Sequence, residues 1–535
     1  MAKKKVEEKI NLDAILFKCR DILRKARNSG SFFEKRDMML TLVFLRFIGE
    51  KFEDGVENLR QNLIKEGLDP DDEAIKAAFL DDPTFTDGTY NLPVDARWST
   101  IIQTPAPKLN VALDTALHSI AASSKQLKGC FVEGTFTTRN LAPNDIKQVV
   151  DEVNKISHRV FGEEKDLIGR VYEYFLKEFA VNATKEEGEF YTPHDVVQLI
   201  ATIIEPFDGT LYDPCCGSGG MFVQSMKFIE AHHGNKKDIS VYGQEYTNTT
   251  YKLAKMNLAI RGIANNLGEQ AADTFHNDQH KDLKADFIMA NPPFNQKSWR
   301  AENELVDDPR WKGYEVPPTG NANYGWILNI VSKMSANGMA GFLLANGALS
   351  GDGTELAIRR QLLKNHLVEA IVILPRNMFY STDISVTLWI LAGNRKARTV
   401  EQNGKTVKYR NRENEVLFID LRQWGEPFEK KYIQFSKEQI AQIAENFHNW
   451  QREGYEQTYK DVPEYCYSAT LEEIEAKGWS LVPSKYIEFK SRDEGIDFDS
   501  KMKELQAEMK ELLKQEEESK KDLLNLFREL GYGIE

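Results

Sequence analysis

Cysteine is scarce in this chain: five in 535 residues, two of them adjacent at Cys215 and Cys216. That supply gives neither a disulfide framework nor the paired spacing of a structural zinc site, so reduced thiols and no metal are expected. Long apolar runs are missing too, and none could span a bilayer. The basic start, Met1 to Lys5, has no apolar segment behind it as a secretory signal would. A cytoplasmic protein without a membrane role is expected. Basic charge is in deficit: 69 Lys and Arg against 82 Asp and Glu leave a formal charge of −13. Non-specific DNA affinity comes largely from cations that neutralise phosphates. Alone, the chain is expected to hold DNA poorly, unless its cations gather on one face or a partner supplies the grip.

What is present divides into three parts. Leu12, Ile15, Leu16, Cys19, Ile22 and Leu23 recur at helical spacing, and Met38 to Phe52 is apolar around much of its circumference, as in a bundle. A turn-rich interval follows from Leu68 to Pro107. Residues 1–160 are therefore expected to form a helical domain. From about residue 165, short aliphatic runs alternate with helical stretches. The candidate strands are Thr210–Tyr212, Ser240–Gly243, Asp286–Met289, Gly341–Leu344, Ala370–Ile373 and Ser385–Ile390. Residues 161–490 are expected to be an α/β domain with a doubly wound, mainly parallel, Rossmann-like sheet. Residues 491–535 read as an amphipathic helical tail with a stripe of Met502, Leu505, Met509, Leu512, Leu523, Leu526, Phe527 and Leu530. Such a stripe either folds back on its own domain or pairs with another chain.

The strongest chemical signal is Asn291-Pro292-Pro293-Phe294, directly after a predicted strand and so at a strand's carboxyl end, where open α/β sheets place their sites. An exocyclic amine conjugated to a purine is a poor nucleophile. Two acceptors, the Asn291 side-chain oxygen and the Pro292 carbonyl, can take its hydrogens and aim its lone pair at a methyl donor. The prolines stiffen the loop, and Phe294 offers a face on which an extruded base can stack. Neither a metal nor a covalent intermediate is required. Taken alone, the tetrapeptide is also compatible with a proline-rich turn.

A second signal is Asp213-Pro214-Cys215-Cys216-Gly217-Ser218-Gly219-Gly220, a strand-to-helix turn over which a ligand can approach the backbone. It lacks the last glycine of the dinucleotide fingerprint, since Phe222 stands there. Glu245, after the next strand, can accept from ribose hydroxyls or be a surface acid at a helix entry. Asp273 is placed where a third strand would end, suited to an adenine amino group. Upstream, Gly188-Glu189-Phe190-Tyr191-Thr192-Pro193-His194 precedes an amphipathic helix from Val196 to Ile204. There Thr192 and Pro193 read as an N-cap with a first-turn proline, and the helix start could hold a carboxylate such as that of methionine.

Together these elements resemble the adenine-specific amino-methyltransferases in which the Thr-Pro element comes first, then the glycine turn, then Asn-Pro-Pro-Phe. More closely, the chain resembles the modification subunit of type I restriction-modification enzymes, and the likeness runs nearly end to end. It includes Phe32 to Asp37, Leu45 to Glu53, Gly338 to Gly347, Leu374 to Phe379, Glu415 to Asp420 and Trp479 to Pro483. Ala345 departs from the proline expected in one loop.

The resemblance implies an S-adenosylmethionine-dependent adenine-N6 methyltransferase acting on double-stranded DNA. It implies that Glu189, Phe190, Tyr191, Thr192, Pro193, His194, Asp213, Gly217, Ser218, Gly219, Gly220 and Glu245 bind the cofactor, with Asp273 near its adenine. By the same resemblance Asn291 to Phe294 receive the target base, and Phe379 supplies a second stacking face or merely covers the sheet end. The implied partners are a specificity subunit, a second copy of this chain and a restriction (translocase) subunit. Open alternatives are a stand-alone DNA adenine methyltransferase, a protein glutamine or small-molecule methyltransferase, and a nucleotide-binding scaffold without catalysis.

Overall fold

The computed structural model describes residues 11–26, 30–80, 91–124, 127–139, 141–158, 160–161, 167, 170–172, 174–175, 192–379, 383–428, 432–489 and 498–532. The described residues open with helices α1 (Leu12–Lys25), α2 (Phe32–Lys65), α3 (Glu73–Leu80), α4 (Trp98–Gln103), α5 (Ala106–Ser123) and α6 (Pro143–Val153), and residues 167, 170–172 and 174–175 are helical too. Their starts are written locally. The Asn11 side chain accepts from the amides of Asp13 and Ala14, and Ser31 and Glu34 form a reciprocal capping box for α2. The apolar stripe of α1 and the nearly continuous apolar surface of α2 are buried in one cluster. That cluster also takes in Leu253, Met256 and Ile260 of α9 (Asn248–Ile260), so the helical leader shares a core with the sheet region. Residues up to Ile487 accordingly form one compact unit.

Among the described residues the sheet has nine strands in the order β13-β10-β6-β7-β5-β4-β1-β2-β3. They are β1 (Gly209–Asp213), β2 (Ile239–Gly243), β3 (Asn265–Asn266), β4 (Ala285–Ala290), β5 (Met334–Ala345), β6 (Val368–Ile373), β7 (Val386–Ala392), β10 (Glu415–Asp420) and β13 (Cys466–Thr470). Two small hairpins, β8 (Arg398–Gln402) with β9 (Lys405–Tyr409) and β11 (Glu426–Phe428) with β12 (Tyr432–Gln434), stand outside it. Helices α7 (His194–Ile204), α8 (Gly220–Ala231) and α12 (Lys437–Gln451) pack into the core on one face. Helices α10 (Asn323–Lys333), α11 (Thr354–Lys364) and α13 (Leu471–Ala476) contribute to the other. With both faces covered, β6 and β7 are buried at every residue.

All six expected strands are present, and the doubly wound α/β class stands. The sheet is less uniformly parallel than the sequence suggested. Strand β7 runs antiparallel to both β5 and β6, and β13 antiparallel to β10. The reason lies in the connection: the described residues between β6 and β7 form no helix, and a parallel return needs a crossover. Strand β1 pairs in parallel with β2 on one side and β4 on the other. The chain leaves β1 outward through β2 and β3, then returns to β4 on its opposite side. The crevice beyond the carboxyl ends of β1 and β4 is therefore the topological switch point of the sheet.

Glu488 to Glu535 form a second unit. Most of its described residues form one long helix, α14 (Phe498–Glu529). Met502, Leu505, Met509, Leu512, Leu523 and Leu526 on it are all exposed. No helix among the described residues is long and apolar enough to cross a membrane.

Candidate active site at the switch point

Strand β4 delivers Asn291 to Phe294 to the crevice, and neighbouring β1 delivers the glycine turn. Pro292 is buried, and Asn291 and Phe294 are half-buried. Asn291 Nδ2 donates to Thr192 Oγ1 at 2.9 Å. Its Oδ1 is buried and has no hydrogen-bond partner among the described residues. A buried acceptor left unmatched is costly. At the carboxyl end of a strand in a doubly wound sheet, it is the group a donor-bearing ligand would satisfy.

The exit of the loop is held by three amides that the sequence reading missed. Asn295 takes a left-handed φ of 53° directly after Phe294. Its N–H donates to Asn323 Oδ1 at 3.1 Å, and its own Oδ1 accepts from Asn323 Nδ2 at 2.9 Å and Asn321 Nδ2 at 3.2 Å. Asn323 is 1% exposed. Asparagine tolerates this backbone conformation better than most residues. Here the strain is absorbed by a reciprocal amide pair at the start of α10.

The glycine turn follows β1 and ends at Gly219, the N-cap of α8, with φ 82°. Gly217 has φ 54°, and a Cβ built on it or on Gly220 meets no atom of the described residues within 4 Å. Packing of the chain against itself does not require glycine there. At Gly217 and Gly220 the bare backbone faces space that no described residue fills, as a cradle for a ligand would. Asn257 Nδ2 fixes the turn from α9 by donating to the Ser218 carbonyl at 2.7 Å. Asp213, 1% exposed, accepts from the Cys215 amide at 3.0 Å. Burial pushes its carboxyl up to about 7 against that hydrogen bond.

Glu245 joins the turn to the next strand end. One carboxylate oxygen accepts from Gly217 N–H at 3.0 Å and the other from Thr247 N–H at 2.7 Å. Thr247 is the N-cap of α9, so Glu245 does stand at a helix entry while also bracing the turn.

Several expected positions differ in detail. Helix α7 begins at His194, and its N-cap is Pro193 with no side-chain hydrogen bond. Thr192 is therefore not the cap, because its hydroxyl is engaged by Asn291. Asp273 does not end a third strand, since β3 stops at Asn266. It caps a turn instead, with Oδ1 accepting from Phe275 and His276 amides at 2.7 and 3.2 Å. Buried Gln244 pins that turn by donating to the Ala272 and Asn277 carbonyls. Phe379 is 1% exposed and meets Phe294 edge-on, with ring centroids 6.3 Å apart and planes at 79°. In this arrangement Phe379 backs Phe294 and presents no open face of its own. Glu189, Phe190 and Tyr191 lie outside the described residues.

Comparison with known proteins decides the family. A profile described as N-6 DNA Methylase matches residues 163–495, and one described as HsdM N-terminal domain matches residues 12–153. The chain is 43% identical over 371 residues to the type I restriction enzyme HindI methylase subunit of Haemophilus influenzae, covering 69% of this chain and 79% of that protein. It is 32% identical to the MjaIX methylase subunit of Methanocaldococcus jannaschii, covering 97% of this chain and 91% of that one. This chain belongs to the type I restriction enzyme methylase subunits.

The fold agrees with this membership. The crystal structure of a type I restriction-modification methyltransferase subunit from Streptococcus thermophilus superposes with a TM-score of 0.71 at 22% identity, covering 89% of this chain and 98% of that one. In this methylase subunit the N-6 DNA methylase profile contains β1, β2, β4 and every described residue of the crevice. Among the described residues, no group of three or more His, Cys, Asp or Glu side chains is placed to hold a metal ion.

Proposed function

We propose that this methylase subunit transfers a methyl group from S-adenosylmethionine to the N6 amine of an adenine extruded from double-stranded DNA. The observation that carries the reading is the buried, unmatched Oδ1 of Asn291 at the end of β4, beside a strand whose glycine turn fits a bound cofactor. The residues fit S-adenosylmethionine: Gly217, Ser218, Gly219 and Gly220 give a bare backbone, and Glu245 gives acceptors for a ribose. Thr192, Pro193 and His194 open α7, whose first amides suit a carboxylate. Asp213 lies beneath the turn, and Asp273 stands on the adenine side. The cofactor supplies an electrophilic methyl on a sulfonium. No metal is needed for that chemistry.

The chain's own residues do the rest. Asn291 Oδ1 and the Pro292 carbonyl accept hydrogen bonds from the two amine hydrogens, so the nitrogen lone pair is aimed at the methyl group; as the N–CH3 bond forms, the S–CH3 pair stays with sulfur as a neutral thioether and the methylated nitrogen releases one proton to solvent. Pro292 and Pro293 keep those acceptors from yielding. Phe294, backed by Phe379, stacks on the extruded base and offsets part of the few kcal/mol that extrusion costs. The formal charge of −13 opposes phosphate contact. Sequence reading and most of the DNA grip are accordingly assigned to a specificity subunit, with a second copy of this chain and a restriction subunit completing the assembly. The exposed apolar stripe of α14 is the proposed docking element.

Asn291→Ala tests the mechanism. It should abolish tritium transfer from S-[methyl-³H]adenosylmethionine to DNA and leave the calorimetric cofactor Kd within a few-fold, because the side chain orients the amine and not the donor. Near-normal turnover would remove Asn291 from the reaction.

A further inference from the structure

Thr192 precedes Pro193, the N-cap of α7, and makes no side-chain cap hydrogen bond to that helix. Its hydroxyl reaches across a sequence separation of 99 residues to accept from Asn291 Nδ2 at 2.9 Å. The opposite end of the same amide, Oδ1, is buried and unmatched among the described residues. The terminal torsion of an asparagine is broad and easily turned. A side chain with one unsatisfied end rotates to relieve it unless its other end is held. Thr192 is what holds it.

We infer that Thr192 is a positioning residue for methyl transfer: its hydroxyl fixes the plane of the Asn291 amide with Oδ1 kept for the incoming amine. The inference rests on the proposed role of Asn291 as acceptor of that amine. It moves the Thr192 side chain from the cofactor side, where the sequence placed it, to the target-base side. The backbone at Thr192 and Pro193 still opens α7. One residue therefore ties the proposed cofactor helix to the acceptor of the target base, through a single hydrogen bond. The angle between lone pair and methyl is what an orienting acceptor controls. Freeing the amide should cost alignment in the transition state and little ground-state affinity.

The experiment uses the full chain in complex with its specificity subunit. It compares Thr192→Val, which keeps the volume and removes the hydroxyl, with Thr192→Ser, which keeps the hydroxyl. Valine should lower kcat for tritium transfer at least about tenfold, with the cofactor KM and the calorimetric Kd within about twofold, and serine should recover most of the loss. A raised cofactor Kd at unchanged kcat in the valine variant would return Thr192 to the cofactor and overturn the inference. Equal losses in both variants would do the same, since the hydroxyl would then be irrelevant. Unchanged kinetics in the valine variant, with an active parent complex, removes only the role of Thr192. A parent complex that transfers no methyl group to DNA overturns the proposed reaction and this inference with it.

Discussion

Glu245 carries two loads on one carboxylate, because the oxygens that would meet a ribose already brace Gly217 and Thr247. Glu245→Ala should weaken S-adenosylmethionine binding by roughly 1.5–3 kcal/mol, the scale of lost charge-assisted hydrogen bonds. Calorimetry on the isolated chain reads it, and an unchanged Kd would leave Glu245 a brace alone. Asp213 gives a pH prediction. Burial raises its folded pKa from 3.8 to about 7. The stability this group contributes is thus fully present below pH 4 and is lost as pH rises through about 7. A cofactor bearing a sulfonium and an ammonium favours the ionised carboxyl. Affinity should therefore improve several-fold as pH climbs from 6 to 7.5, and Asp213→Asn should flatten that dependence. A pH-independent Kd in the parent chain would separate Asp213 from cofactor binding. At this scale the positions of the Asp213 to Gly220 turn and the Asn291 to Phe294 loop were legible because each follows a strand, β1 or β4, that an apolar run reveals. The partners of those residues were not. Nothing in a linear sequence joins Thr192 to Asn291, or Asn295 to Asn323 across 28 residues, since an amide contact leaves no periodic trace.

At the scale of elements, the central strands were readable because burial on both faces demands continuous aliphatic runs. Direction was not, since β7 is buried at every position whichever way it runs. The β8–β9 hairpin did carry a signal that went unused. Asn403-Gly404, with φ 47° and 70°, is the turn pair that two-residue hairpins favour. Strand β3 is only two residues long, Asn265 and Asn266, and no hydrophobic pattern marks so short an edge. That is why Asp273 was misplaced. The amphipathic tail was legible as a helix, and α14 runs from Phe498 to Glu529. Its occupant was not, because a stripe of Met502, Leu505, Met509 and Leu512 records only that something apolar belongs there. Deleting residues from Asp499 onward should leave a folded, cofactor-binding chain that no longer co-elutes with the specificity subunit. An intact complex from the truncated chain, on size-exclusion chromatography, would take the docking role from α14.

Taken as a whole, the molecule is proposed to separate chemistry from address. The crevice proposed to hold the cofactor and the target base sits in a chain whose net charge of −13 repels the DNA it is proposed to modify. The chain by itself should therefore hold a duplex weakly and without sequence preference, and the complex tightly. The reaction proposed for that crevice also names a particular product atom. Nucleoside mass spectrometry of DNA from an unmodified host, after incubation with the purified complex and S-adenosylmethionine, tests this most directly. N6-methyl-2′-deoxyadenosine should appear only when the specificity subunit is present and should vanish with Asn291→Ala. Methyl groups found on cytosine or on protein, with adenine unmodified, would contradict that reaction.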